Sequence, residues 1–249
     1  MERGVAARGK LRKRSASRAI GMRNIVYIVG IVLLIAASAL AQLEGNPANW
    51  CREGLFTRDS DSFKIAAVKG GRNARVYFYN DDEDNCPGSA GCRRNTFVVG
   101  GDEVIVNRSF GDYSCAWYSP RAGRPTVGWI KTSDLSFNNL WGDPSERTWL
   151  GEWKYGENAI EFTENKLAGY LNVTGNATWV GANPGNVHVG ELDGRYEPKG
   201  GVINYSDGDD EFDCKATMRL LGKYLIVADN LKCGGVNVTF SGVYTRKKR

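Results

Sequence analysis

Residues 101–135 read GDEVIVNRSFGDYSCAWYSPRAGRPTVGWIKTSDL, and this stretch decides the fold of the first half of the chain. It contains three β-branched or aromatic runs that are typical of strands: Glu103 to Phe110, Ser114 to Tyr118 and Thr126 to Lys131. Because Gly and Pro separate these short runs and no helical period is present, they predict a small β-barrel or sandwich. The closing residues, Thr132 to Leu135, predict a single helical turn with a hydroxyl cap.

Two further strands are predicted upstream, over Phe63 to Val68 and Ala74 to Tyr79, with a Lys69-Gly70-Gly71 turn between them. Together with residues 101–135 they resemble the bacterial SH3-like (SH3b) family. In that family a polar-Gly-Asp turn precedes a Val-rich strand, an aromatic strand follows, and a Gly-Trp-aliphatic strand ends in a turn with a terminal Leu. The resemblance spans roughly seventy residues, a usual size for so small a module. It implies an SH3-like domain over residues 63–136.

The SH3-like resemblance also implies a ligand-binding face lined by aromatic rings: Tyr77, Tyr79, Trp117, Tyr118 and Trp129. Flat, rigid rings of this kind bind extended peptides in SH3 folds because they give a large contact area at low entropic cost. The alternative is that the rings fill a small core. The loop after Tyr79 departs from the family, since it carries the acidic residues 81–84 followed by Cys86 and Cys92.

The N-terminal 41 residues have the composition of an export signal. They hold eight of the 33 Lys and Arg residues but one of the 28 acidic ones, so the rest of the chain carries 25 basic and 27 acidic residues, a net charge of −2. That balance does not favour nucleic-acid binding. The apolar run Ile25 to Leu40 predicts a signal peptide cleaved between Ala41 and Gln42. A retained anchor is the alternative, and Met22 is a second possible start.

Six cysteines in an exported chain predict disulfides, because the compartment is oxidising. If no bond crosses between the two halves, Cys214 pairs with Cys233. Three pairings remain open for the other four cysteines, and the short spacing favours Cys86 with Cys92, which leaves Cys51 with Cys115. A metal site is not predicted, because the chain has no C-x-x-C pair and one histidine, and no cofactor is predicted either.

The second half has a different pattern, and FNNLWGDPSE at residues 137–146 marks the boundary, which predicts a linker over 137–147. Strand-like runs recur at short intervals: Trp149 to Lys154, Ala159 to Thr163, Leu167 to Val173, Ala177 to Val180, Val187 to Leu192, Val202 to Tyr205, Cys214 to Leu220, Tyr224 to Ala228 and Val236 to Tyr244. Turn dipeptides separate them, among them Gly175-Asn176 and Asp193-Gly194. The series predicts a closed or nearly closed antiparallel up-and-down (lipocalin-like) barrel over 148–249, with a basic tail.

This half resembles a C-terminal β-barrel module of exported bacterial proteins that often follows a lysozyme-inhibitor-like domain. The likeness is carried by Gly151-Glu152-Trp153, by residues 187–192 and by the ending from Cys233 to Tyr244. It implies an envelope or secreted context. The whole chain is thus predicted to be all-β, with an N-terminal arm over 42–62, an SH3-like barrel, a linker and a second small barrel.

Candidate catalytic groups are sparse. His188 is the one histidine and lies between two valines in a predicted strand, and no serine lies in a G-x-S-x-G sequence. The acidic runs 81–84 and 207–213 lack EF-hand spacing and are predicted to be solvated turns. We therefore predict a periplasmic or secreted non-enzymatic binding protein. Its SH3-like module is expected to recognise a cell-envelope peptide, peptidoglycan or a protein, with no nucleic-acid partner and no membrane contact after signal cleavage. The alternatives are a periplasmic inhibitor of a wall-degrading hydrolase and a small-ligand-binding barrel.

Overall fold

The structure is a computed structural model that describes residues 46–58, 60–121, 123–137, 144–183 and 185–247. The predicted signal peptide, its cleavage site and the middle of the predicted linker, residues 138–143, lie outside the described residues. All of these described residues belong to one compact unit. The fold is all-β, with two antiparallel sheets and two one-turn α-helices, α1 (Glu53–Phe56) and α2 (Glu146–Trp149). No helix of the described part is long and apolar enough to cross a membrane.

The first sheet has seven antiparallel strands in the order β3-β2-β6-β5-β4-β1-β7. Their bounds are β1 Lys64–Val68, β2 Arg75–Tyr79, β3 Arg93–Val99, β4 Glu103–Phe110, β5 Tyr113–Tyr118, β6 Thr126–Lys131 and β7 Leu135–Phe137. Alternate residues face the interior. On β2, for example, Val76 and Phe78 are buried in a cluster with Val104, while Tyr77 and Tyr79 are half-buried on the other face.

The second sheet has eight antiparallel strands in the order β11-β10-β9-β8-β15-β14-β13-β12, and it is nearly closed. Its strands are β8 Gly151–Tyr155, β9 Asn158–Glu164, β10 Leu171–Val180, β11 Val187–Tyr196, β12 Val202–Ser206, β13 Lys215–Leu221, β14 Tyr224–Asp229 and β15 Gly242–Arg246. Side chains join its two edge strands. The Tyr196 hydroxyl donates to the Ser206 carbonyl at 2.5 Å, and the rings of Tyr196 and Tyr205 lie 5.0 Å apart.

The interior of the second sheet is filled with large side chains. Trp149, Trp153, Phe162, Phe240 and Tyr244 are fully buried there with many aliphatic residues. The outer face of the same sheet is covered in part by the first one, because Tyr224, Ile226 and Val243 belong to a cluster that includes Trp117 and Trp129. The two sheets therefore share one apolar cluster.

Three disulfides are present, Cys51–Cys115, Cys86–Cys92 and Cys214–Cys233. They coincide with the pairs that the spacing of the cysteines favours. The bond between Cys51 and Cys115 attaches the N-terminal arm to β5. Half-cystines buried in this way indicate that the chain folds in an oxidising compartment.

The structure corrects several local predictions. The predicted turn at Gly175-Asn176 and the one at Asp193-Gly194 are strand interiors, so β10 and β11 are ten residues long. Gly175 serves close packing rather than a turn, since a Cβ atom there would lie 3.1 Å from the Leu192 side chain. The predicted strand from Val236 to Tyr244 starts too early, because β15 begins at Gly242. Strand β3 was not predicted, because five consecutive residues of it are exposed and no alternation is visible.

The predicted helical turn after β6 exists as a 3₁₀ turn over Thr132–Asp134, but its hydroxyl cap is wrong. The N-cap residue is Lys131, and no side chain makes a capping hydrogen bond. The Thr132 hydroxyl instead lies 2.8 Å from the Ser114 hydroxyl, so it fastens the turn to β5.

Candidate functional site

The five aromatic residues of the predicted ligand face do not line one open surface. Trp117 and Trp129 are buried, with 3% and 0% of their surface exposed. The Trp129 indole N–H donates to the Asn49 carbonyl of the N-terminal arm at 2.6 Å, and the Trp117 ring is covered by Tyr224 of the second sheet. Both rings therefore pack the core, as the alternative interpretation of the sequence had it.

Tyr118 lies apart from the other four rings. It packs against the cluster formed by Val76, Phe78 and Val104, whereas Trp117 and Trp129 belong to the cluster shared between the sheets. Burial, and after it a hydrogen bond to the Asp102 carboxylate, raises the pKa of the Tyr118 hydroxyl. This tyrosine remains protonated and neutral through the neutral range, and its contact is with Asp102.

Tyr77 belongs to a ladder of alternating cations and rings on the outer face of β2 and β3. The Arg93 guanidinium lies 3.9 Å from the centroid of the Tyr77 ring, and the Phe97 ring meets Tyr77 edge-on with 5.8 Å between centroids. The Arg75 guanidinium lies 4.5 Å from the centroid of Phe97. Each contact of this type holds an arginine by cation–π attraction and leaves positive charge on the surface.

Tyr79 borders a cavity. An open cleft of about 510 Å³ lies beside it, and its walls include Arg52, Glu53, Asp82, Arg94 and Thr126. The Tyr79 ring is held edge-on against the Tyr113 ring, with centroids 5.1 Å apart. The cleft is thus polar, carries charges of both signs and has one aromatic wall.

The floor of this cleft is held rigidly by Asp81. This carboxylate is buried, and its Oδ2 accepts the backbone N–H of Cys51 at 2.7 Å and the guanidinium Nε of Arg52 at 2.9 Å. The sequence suggested that the acidic run 81–84 is a solvated turn, and for Asp81 that is wrong. Because the contact reaches back about thirty residues, this run joins the arm to the first sheet.

The loop that follows is fastened to the same arm. Asn49 is fully buried, and its amide nitrogen donates to the carbonyls of Glu83 at 3.0 Å and Cys86 at 2.7 Å. The disulfide Cys86–Cys92 closes this loop just before β3 begins. On the opposite wall Arg94 donates to the Val127 carbonyl at 3.0 Å. Both arginines of the cleft, Arg52 and Arg94, are therefore held by hydrogen bonds.

Arg52 and Arg94 were not singled out by the sequence. The sequence feature that could have pointed to Arg94 is its position directly after Cys92 and Arg93, near the start of β3. The consecutive exposed residues of β3 conceal the buried–exposed alternation that is typical of a strand. Arg52 gave no such signal, because its partner Asp81 is distant in sequence. Only the fold brings these charges together.

His188 has a structural role. Its Nδ1 lies 2.5 Å from the Val236 carbonyl, and its ring packs against Trp179 with 5.3 Å between centroids. It therefore ties strand β11 to the segment that precedes β15. Within the described residues, no three His, Cys, Asp or Glu side chains are grouped so that they could hold a metal ion.

Comparison with protein-family models, with curated proteins and with solved structures gives no match for this chain. The residues of the chain themselves define a disulfide-bonded all-β protein with two sheets and a polar cleft on the first sheet.

Proposed function

We propose that this protein is an exported, non-enzymatic binding protein, and that the cleft beside Tyr79 takes a short polar peptide or cell-wall fragment of the cell envelope. The observation that carries the proposal is the combination of one aromatic wall with fixed charges of both signs in an open cleft. Such a cleft suits a ligand that carries peptide groups, carboxylates and amines, because each finds an opposite partner already in place.

The position of β3 supports an extended ligand. This strand is the last one of its sheet and pairs with β2 alone, so one row of its backbone N–H and C=O groups is unpaired by other strands. Arg94 of this strand is also part of the cleft wall. An extended peptide that leaves the cleft can therefore continue along β3 as an added strand. The resemblance to SH3b domains agrees with a peptide-like ligand.

Export is supported by the three disulfides, which require an oxidising compartment, and by the signal-like leader. We place the protein in the periplasm or outside the cell on these two grounds. A small-ligand barrel is the least favoured of the alternatives, since the interior of the second sheet is occupied by its own aromatic side chains. The hydrolase inhibitor is kept as the second outcome of the test below.

The test is retention of the oxidised protein on purified peptidoglycan and on immobilised envelope peptides. Arg94→Ala and Asp82→Ala remove exposed cleft charges, so we expect each to weaken retention by roughly tenfold while the protein stays folded. Leu167→Ala is the matched control, because Leu167 is exposed on the second sheet between β9 and β10.

Retention that is equal in all three variants and the unchanged protein would exclude the cleft. Slowing of lysozyme without any retention on peptidoglycan would support the inhibitor instead.

A further inference from the structure

Exposed apolar side chains are concentrated at one end of the second sheet. Six large ones lie there: Val180, Val187, Val189, Phe212, Leu231 and Val236. Phe212 and Val236 each expose 71% of their surface. The others in the described part of the chain, Phe97, Phe137 and Leu167, are scattered over other connections and strands. Exposed apolar side chains gathered at one end of a sheet are a mark of an interaction site.

The topology explains why these residues share one end. In an up-and-down antiparallel sheet, alternate connections lie at the same end. The β12–β13 connection at 207–214, the β14–β15 connection at 230–241 and the tip of the β10–β11 hairpin all fall in this class. We call this surface the loop end, made of the two connections 207–214 and 230–241 with their exposed residues Phe212, Leu231 and Val236.

Direct contacts join the two connections to each other and to the face of β11 that carries His188 and Gly190, whereas Val187 and Val189 point to the other face of this strand. The Gly235 N–H donates to the Val189 carbonyl at 3.1 Å, and the His188 Nδ1 contacts the Val236 carbonyl, so the second connection lies along β11. Lys232 lies over the Phe212 ring, with 4.8 Å between its Nζ and the ring centroid. The disulfide Cys214–Cys233 links the two connections covalently.

The loop end is also rigid. Asp229 is buried, and its carboxylate accepts hydrogen bonds from the Thr239 hydroxyl at 2.8 Å, the Ser241 hydroxyl at 2.7 Å and the Phe240 N–H at 2.7 Å. Gly190 lets the second connection approach β11 closely, since a Cβ atom there would overlap the Cys233 carbonyl. The apolar residues are thus held outward on a fixed frame.

Leu231 is held outward at a conformational cost. Its φ is +61°, in the left-handed region that glycine and asparagine favour, and half of its surface is exposed. A leucine that is half exposed in this conformation recovers only part of this cost by burial of its side chain. The residue type is explained if the side chain makes its contact with another molecule.

The charge around the patch selects the occupant. Residues 207–213 carry five carboxylates. Two lysines lie beside the disulfide that links this connection to the next: Lys215 follows Cys214, and Lys232 precedes Cys233. This net negative charge repels an anionic lipid surface. It also disfavours a two-fold contact with a second copy, because the same acidic connection would face itself. A basic protein surface complements it.

We propose that the loop end is a protein-docking surface, and that it binds a partner protein that presents lysine or arginine side chains around an apolar centre. The proposal does not depend on the cleft of the first sheet. Its two elements are the outward apolar residues on a disulfide-linked frame and the acidic connection beside them.

The test is selection from a random peptide library displayed on phage, with the oxidised protein as the target. We expect the enriched peptides to combine Lys or Arg with aromatic or aliphatic residues. Leu231→Gly and Phe212→Ser each remove an exposed side chain, so we expect each to weaken binding of the enriched peptides by roughly tenfold. Asp207→Asn with Asp209→Asn should weaken it further and reduce its dependence on salt.

Leu167→Ser is the matched control, since it removes an equally exposed leucine from a connection at the other end of the sheet. Three results would overturn the proposal. The first is that no peptide is enriched, or that the enriched peptides bind the loop-end variants as well as the unchanged protein. The second is binding to vesicles with anionic headgroups that needs Phe212 and Leu231. The third is a concentration-dependent dimer in sedimentation that these variants abolish.

Discussion

The ring of Trp117 on β5 meets the ring of Tyr224 on β14 edge to face, with 5.6 Å between centroids and 80° between planes. Next to it, Lys223 and Glu103 form a salt bridge of 2.9 Å between the same two sheets. Both rings are buried. The first sheet therefore covers part of the outer face of the second, and we expect the two to unfold together rather than as independent modules.

The first prediction concerns this contact. Trp117→Ala should lower the free energy of unfolding by about 3–5 kcal/mol, because it leaves a cavity in the shared cluster. A double-mutant cycle with Tyr224→Ala should give a coupling of about 1 kcal/mol, the usual value for an edge-to-face pair. Urea unfolding followed by far-UV and near-UV circular dichroism measures both quantities.

The coincidence of the two signals is a second readout of the same experiment. If near-UV and far-UV transitions separate in the unchanged protein, the sheets unfold independently and the shared cluster contributes little. A coupling near zero would lead to the same conclusion, since the two rings would then stabilise their own sheets alone.

The second prediction is alkaline destabilisation through two tyrosines. Burial, with the Glu103 carboxylate nearby, raises the pKa of Tyr224 to about 12, and burial with Glu53 nearby raises that of Tyr155 to about 12. In the unfolded chain both hydroxyls ionise near the ordinary value of 10. Since the unfolded state loses its protons first, stability is fully present below about pH 10 and falls as the pH rises towards about 12.

Phenolate absorbance measures this directly. The unchanged protein should show tyrosines that ionise late, and Tyr224→Phe should remove one of them and make the loss of stability with pH shallower. Tyr77→Phe is a useful comparison, because the Tyr77 ring contacts Arg93 and Phe97 of the first sheet rather than the second sheet. Ionisation of all tyrosines near pH 10 in the folded protein would contradict the prediction.

The strands of the first sheet could be predicted where burial and sequence pattern coincide. Strands β4 and β6 begin and end at the predicted residues, since each is a β-branched or aromatic run flanked by Gly, Pro or Asp. The long strand β10 was wrongly divided in two and β11 was wrongly ended at Leu192, because Gly175 and Gly194 look like turn residues. At Gly175 the absence of a side chain allows close packing against Leu192 and Phe240, which lie far along the chain.

The candidate site could be predicted only in part. Tyr79 does border the cleft, but Trp117 and Trp129 have the same local pattern and are buried. The two tryptophans differ from Tyr79 because each is covered by a partner. Tyr224 covers Trp117, and the Asn49 carbonyl contacts Trp129. Neither partner is near in sequence, so no spacing rule could identify it.

The third prediction concerns the buried carboxylate of Asp229. Asp229→Ala should lower the free energy of unfolding by about 3 kcal/mol, because it leaves the donors of Thr239, Ser241 and Phe240 without their acceptor. Asp193→Ala is a suitable control, since the Asp193 side chain is exposed on β11 and its contacts to Tyr205 are made by the backbone. Thermal unfolding and urea titration compare the two.

The effect of Asp229→Ala should also be local. Hydrogen exchange is expected to rise first in residues 230–241, because their connection to β14 is lost while the disulfide Cys214–Cys233 remains. Equal acceleration throughout the second sheet would mean that the carboxylate stabilises the whole sheet and does not specifically hold this connection.

The last prediction uses the left-handed residue Leu231. Leu231→Gly removes the steric cost of a Cβ atom at φ +61°, which is roughly 1–2 kcal/mol. Glycine also raises the entropy of the unfolded chain, which lowers the free energy of unfolding by about 0.5–1 kcal/mol. We therefore expect the free energy of unfolding to rise by about 0.5–1 kcal/mol. A more stable glycine variant would mean that leucine is kept at this position at the expense of the fold, as a contact residue for another molecule requires. A loss of stability of more than about 1 kcal/mol would instead show that the leucine side chain packs within the protein, and would remove the conformational argument for its role in docking.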